Sequence, residues 1–113
     1  MKVPRKERER SAFISVRWHP EGAGLVCPAG ELDLVNAQEF AEAIDKAAMV
    51  GRRPVVIDMS AVSFIDAAAL GIVARAAELH RCRDGTPGVI ITGANDHVAK
   101  VFGVADLGYL LVA

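Results

Sequence analysis

The chain has 113 residues and a formal net charge of −1, with 52% hydrophobic and 24% charged residues. That is the length of one domain and the composition of a folded globular protein, which excludes a second domain and a disordered body. The longest run of small and apolar residues, Ala67 to Ala74, stops at Arg75, well short of the roughly 20 that a membrane-spanning helix needs.

Charge is unevenly placed. Lys2, Arg5, Lys6, Arg8 and Arg10 outweigh Glu7 and Glu9, so residues 1–10 carry +3 and the remainder −4. A basic flexible arm over residues 1–11 and a single domain over residues 12–113 are expected. An acidic body argues against a nucleic-acid-binding face. No apolar stretch of signal-peptide type follows the basic start, so the chain reads as cytoplasmic, without membrane insertion. Cys27 and Cys82 lack metal-ligand spacing and read as reduced thiols.

Residues 13–18 alternate as a half-buried strand does, and Pro20 to Gly24 mark a turn. A second strand follows through Leu25–Cys27 toward Gly30, with Pro28 pointing to an edge position or a bulge. Asn36, with Glu39 three residues on, predicts an N-cap with a reciprocal acid. The helix it starts places Ala37, Phe40, Ala41, Ile44, Ala47 and Ala48 on one face and ends at Gly51. Pro54–Met59 is an apolar run typical of a central strand. Asp66 predicts the cap of a second helix over Ala67–Arg83, stopped by Asp84–Gly88. Val89–Thr92 predicts a strand, Asn95–Phe102 a short helix, and Leu107–Val112 a last strand. The order β-β-α-β-α-β-α-β defines an α/β protein with a small mixed sheet and helices packed on it.

Most catalytic chemistry lacks its residues. No phosphate-binding glycine loop is present, and Gly22-Ala23-Gly24 lacks the third glycine of a dinucleotide site. His19, His80 and His97 fall in separate elements, and His80 and Cys82 face different sides of a helix, so no metal and no cofactor is expected. Asp58 at the end of a buried strand invites comparison with a phosphoacceptor. The acidic pair that would hold Mg²⁺ is missing after the first strand, where His19-Pro20-Glu21 stands. Capping or turn formation is the expectation for Asp58.

Two passages remain. One is Gly30-Glu31-Leu32-Asp33, leading into the first helix. The other runs from Val55 through Asp58, Ser60, Ser63, Phe64, Ile65 and Asp66 straight into Ala67-Ala68-Ala69-Leu70-Gly71. Together they resemble the STAS family, and within it the stand-alone bacterial anti-sigma factor antagonists. The resemblance implies a protein-binding module without catalytic residues, acting in signal transduction and transcription regulation. Such a domain docks on an anti-sigma factor that is also a serine-kinase ATPase, and thereby frees a sigma factor.

By that resemblance the docking residues are Asp33, Asn36, Asp66, Ala67, Ala68 and Leu70. The family's phosphoacceptor position is held by Ala67, and neither Ala67 nor Ala68 has a hydroxyl, so phosphorylation there is chemically impossible. Ser60 and Ser63 are expected to bond backbone in a turn. The alternative is a non-catalytic STAS adaptor subunit of a stress-signalling complex or of a lipid-transport ATPase. The family's closing helix has no counterpart after Tyr109–Ala113. Its lack predicts uncovered apolar sheet, met by a homodimer or by other STAS proteins.

Overall fold

The computed structural model describes residues 13–112. The expected basic arm lies outside the described residues. Strands β1 (Phe13–Trp18) and β2 (Ala23–Leu32) form an antiparallel hairpin, with Phe13 opposite Ala29 and Trp18 opposite Gly24. The alternation read in β1 is real: Ile14 and Val16 pack toward the core, while Arg17 is exposed.

Helix α1 (Ala37–Val50) buries Ala37, Phe40, Ile44, Ala47 and Ala48, the face its periodicity predicted. Phe40 and Ile44 are wholly inaccessible, a burial that stabilises the fold by about 1.5–3 kcal/mol for each side chain. Asn36 stands at the N-cap position, but its side chain makes no capping bond. The predicted cap is therefore corrected: the Asn36 side chain serves the preceding loop instead.

Strand β3 (Arg52–Asp58) pairs in parallel with the first part of β2, with Val26 beside Ile57. After Met59 and Ser60, a strand that sequence patterning did not show, β4 (Ala61–Ile65), pairs in parallel with the second part of β2. Both strands therefore run along the same edge of β2, interrupted only at Met59 and Ser60. Pro28 faces that interruption. With no ladder neighbour on that side, its missing N–H leaves nothing unpaired there, and a proline is tolerated in a central strand. The register slips between Gly30 and Glu31, so Ser63 is a bulge and both Val62 and Ile65 turn inward.

Helix α2 (Ala67–Leu79) ends four residues earlier than its predicted limit of Arg83, with His80 at its C-cap. The segment beyond folds back: the Cys82 N–H donates to the Thr86 carbonyl at 2.9 Å and the Gly88 N–H to the Ala77 carbonyl at 2.9 Å. Asp84 closes this turn by accepting from the Thr86 N–H, and the Thr86 side chain first and this N–H second hold its carboxyl below the usual range. Strand β5 (Val89–Thr92) pairs in parallel with β3, and α3 (Asp96–Val104) follows, capped by Asn95. The predicted last strand reduces to a 3-10 turn over Gly108–Leu110 and one bridge between Leu111 and Ile91.

The sheet order is β1-β2-β3-β5, with β4 attached to β2. A single core joins Val26, Val55, Ile57, Val89 and Ile91 to the inner faces of the helices. Leu25, Val56 and Ile90 alternate with them and point to the opposite, half-exposed face of the sheet.

The seating of α1 depends on Gly24. A Cβ at that position would lie 2.7 Å from the Ala47 Cβ and 2.7 Å from the Ala47 carbonyl oxygen, closer than packed carbons approach. Gly24→Ala is expected to destabilise the fold by about 1–3 kcal/mol through overpacking. An unchanged denaturant midpoint would show instead that α1 can move off the sheet.

Candidate functional site

β2 and β4 end side by side, with Leu32 registered against Ile65. The loops that follow, residues 33–36 and residue 66, are thereby neighbours at the carboxyl ends of parallel strands, where open α/β sheets place their sites. Asp66 joins them. Its backbone N–H donates to the Leu32 carbonyl at 3.0 Å. One carboxylate oxygen accepts from the Ala69 N–H at 3.0 Å and caps α2, and the other accepts from the Leu34 N–H at 3.1 Å. A single carboxylate thus satisfies one donor in the helix it caps and one in a loop 32 residues away.

The β2–α1 loop is braced from inside as well. Asn36 accepts from the Asp33 N–H at 3.0 Å through Oδ1 and donates from Nδ2 to the Glu31 carbonyl at 2.8 Å. Asp33 Oδ1 accepts from the Val35 N–H at 3.0 Å. Asp33 is only 8% exposed and Asn36 only 4%, so both shape the loop from beneath its surface. What they hold outward is apolar: Leu34 is 76% exposed and Val35 74%. Sequence reasoning missed these two. Their signal was available, since two large apolar residues inside a four-residue loop have no core to enter.

Across the gap, Ala67 is exposed, Ala68 half-buried and Ala69 buried. Leu70 is half-buried and packs against the core. Phe64, on β4 beside Glu31, is exposed at 42%. Leu34, Val35, Phe64 and Ala67 give this end of the domain an apolar surface with no hydroxyl at the head of α2.

Other chemistry-bearing groups have structural partners. Asp58 Oδ1 accepts from the Ser60 N–H at 2.9 Å, the turn-forming role expected of it. Ser63 occupies the bulge of β4 and not the turn expected for it. His80 Nε2 lies 2.8 Å from Asp45 Oδ1 and ties α2 to α1. Among the described residues no three His, Cys, Asp or Glu side chains are grouped to hold a metal ion, and no helix is long and apolar enough to cross a membrane. Cys27 and Cys82 are both free thiols. Burial first, and the Asp58 carboxylate second, push the Cys27 thiol above its ordinary range, with Arg17 and Ser15 pulling the other way. A thiolate nucleophile at neutral pH is thereby disfavoured.

Mixed sheet, single-sided core and two cross-tied helix-start loops define a small α/β domain whose distinguishing surface is an exposed apolar patch. Residues 15–112 match the family described as "Mlab, STAS domain", and the chain belongs to that family. Its fold is shared by the anti-sigma factor antagonist SpoIIAA in its unphosphorylated form, with a TM-score of 0.73 at 20% identity over 88% of this chain and 86% of that one. An anti-sigma factor antagonist from Mycobacterium paratuberculosis matches with a TM-score of 0.73 at 24% identity, over 90% and 84%. SpoIIAA of Bacillus in its phosphorylated form gives 0.67 at 18% identity, over 88% and 89%. At these identities the likeness is one of fold. No curated protein matches the sequence.

Three outcomes check these contacts. In Asp66→Asn the Oδ1 atom still caps α2, but an amide N–H₂ faces the Leu34 N–H. Losing that bond to a charged acceptor, worth about 1.5–3 kcal/mol, is expected to speed Leu34 amide exchange about tenfold or more. Unchanged exchange would mean that Asp66 does not tether the loop. In a Cys82→Ser background, alkylation of Cys27 is expected to be slower at pH 8 than that of a free cysteine and to keep rising past pH 9. Asp58→Asn removes the second cause of the raised value and is expected to speed alkylation at fixed pH, while burial keeps it below the free-thiol rate. An unaltered rate would show that Asp58 does not act on the thiol.

Proposed function

We propose that the domain is a non-catalytic docking module of the anti-sigma factor antagonist type, which binds an anti-sigma factor of the serine-kinase ATPase kind and frees a sigma factor. The observation that carries this reading is the Asp66 tether: one side chain holds the β2–α1 loop and the start of α2 in a fixed relation. Surfaces organised before binding lose less freedom on association. Leu34, Val35, Ala67 and Ala68 supply the apolar contact, with Leu70 supporting it from the core. Asp33, Asn36 and Asp66 position that surface.

In this reading the face is not switched by a phosphate at residue 67. A phosphoryl group there would bring about two negative charges to the helix start beside Asp66, but Ala67 offers no oxygen to carry it. The same alanines favour a second reading, in which the face binds constitutively and the protein is an adaptor in a stress-signalling complex or a lipid-transport ATPase.

The test is affinity capture of the tagged protein from its native cytosol with ATP present, comparing the original chain with Leu34→Asp/Val35→Asp. A kinase-fold ATPase retained by the first and lost from the second is the expected result. Ala67→Ser is then expected to gain one phosphate by intact mass when incubated with that kinase. Recovery of other STAS proteins or a transporter ATPase would overturn the antagonist reading in favour of the adaptor.

A further inference from the structure

At the opposite end of β2 from Asp66, roughly 30 Å along the strand, the half-exposed face of the sheet holds a cavity of about 410 Å³. That volume lies within the range of small-molecule sites. Its floor is Pro54, Val56 and Ile90, with Val56 and Ile90 side by side in the sheet. Thr92 lies at one end, and at the other are Arg52 and Arg53, with His19 and Glu21 on the rim.

The charges at that rim do not cancel. Glu21 is exposed and approaches His19 at 4.0 Å, with its backbone N–H donating to His19 Nδ1 at 3.2 Å. Among the described residues neither Arg52 nor Arg53 has a carboxylate partner. The Arg52 N–H is bonded to the Gly22 carbonyl, which holds the start of β3 beside the hairpin turn. Arg52 and Arg53, both exposed, therefore line one end of an apolar trough that runs about 13 Å along β3 from Pro54 to the level of Thr92.

We propose that this cavity binds a small anionic amphiphile: a carboxylate head held at Arg52 and Arg53, and one apolar chain laid along Pro54, Val56 and Ile90. The guanidinium fork matches a carboxylate in two-point geometry. The floor contains no aromatic ring on which a nucleobase would stack. The chain's own basic segment, residues 1–10 at +3, has the wrong charge to be the occupant. The inference is independent of what docks near Asp66.

Decanoate titrated into isotope-labelled protein, with decanol and acetate as controls, tests it. Saturable amide shifts are expected at Ala23, Val56, Ile90 and Thr92 with decanoate, and binding of either control is expected to be about tenfold weaker or more. Arg52→Gln/Arg53→Gln is expected to weaken decanoate about tenfold or more while the rest of the spectrum stays native. Ile90→Trp, which fills the trough and keeps both guanidiniums, is a second route and is expected to abolish the shifts. Equal binding of decanol, shifts centred elsewhere, or no saturable shift up to about 5 mM would overturn the proposal. So would a dimer by sedimentation that leaves these amides unmoved by decanoate, since a second copy would then cover the face.

Discussion

A helix that begins at the end of a strand exposes N–H groups with no partner inside the helix, and a loop crossing nearby exposes more. Asp66 meets both needs with two oxygens, one bonded to the Ala69 N–H and one to the Leu34 N–H. The position of the β2–α1 loop relative to α2 follows from this. So does the outward display of Leu34 and Val35, whose backbone is held by Asp66 and Asp33 while their side chains have nothing beneath them to enter. The buried Asn36 completes the arrangement by fastening the same loop back to Glu31.

The second organising fact is that β2 has two successive neighbours along one edge. The chain from Arg52 to Ile65 follows β2 throughout, but breaks at Met59 and Ser60. β5 covers β3 only, so among the described residues no strand lies on the outer side of β4 beyond the break. There the Asn95 side chain donates to the Val62 carbonyl at 3.2 Å, and α3 packs nearby. An edge strand that would otherwise offer a free ladder is closed by a capping residue and a helix.

The parts of this fold with an unbroken period were legible in the sequence. The inner face of α1, the alternation in β1, the apolar β3 and β5 and the cap at Asp66 all followed from spacing. β4 was not legible because its bulge sets Val62 and Ile65 three residues apart, which destroys the alternation that marks a strand. Asn36 misled for a different reason: the same side chain that caps helices also bonds local backbone, and here the loop won. The final strand failed because Leu111 makes one bridge and the chain turns before it. In the candidate site, the Asp66 cap could be found from its order, whereas Leu34 and Val35 required knowing that the loop has no core below it.

The three alanines at the head of α2 have one more consequence. A methyl group has no rotamers to lose, so covering Ala67 and Ala68 immobilises no side chain of this protein. Leucine or lysine at the same places would give up rotational freedom on contact. Here any ordering at that point falls on whatever lies against it, and the helix start remains the same before and after.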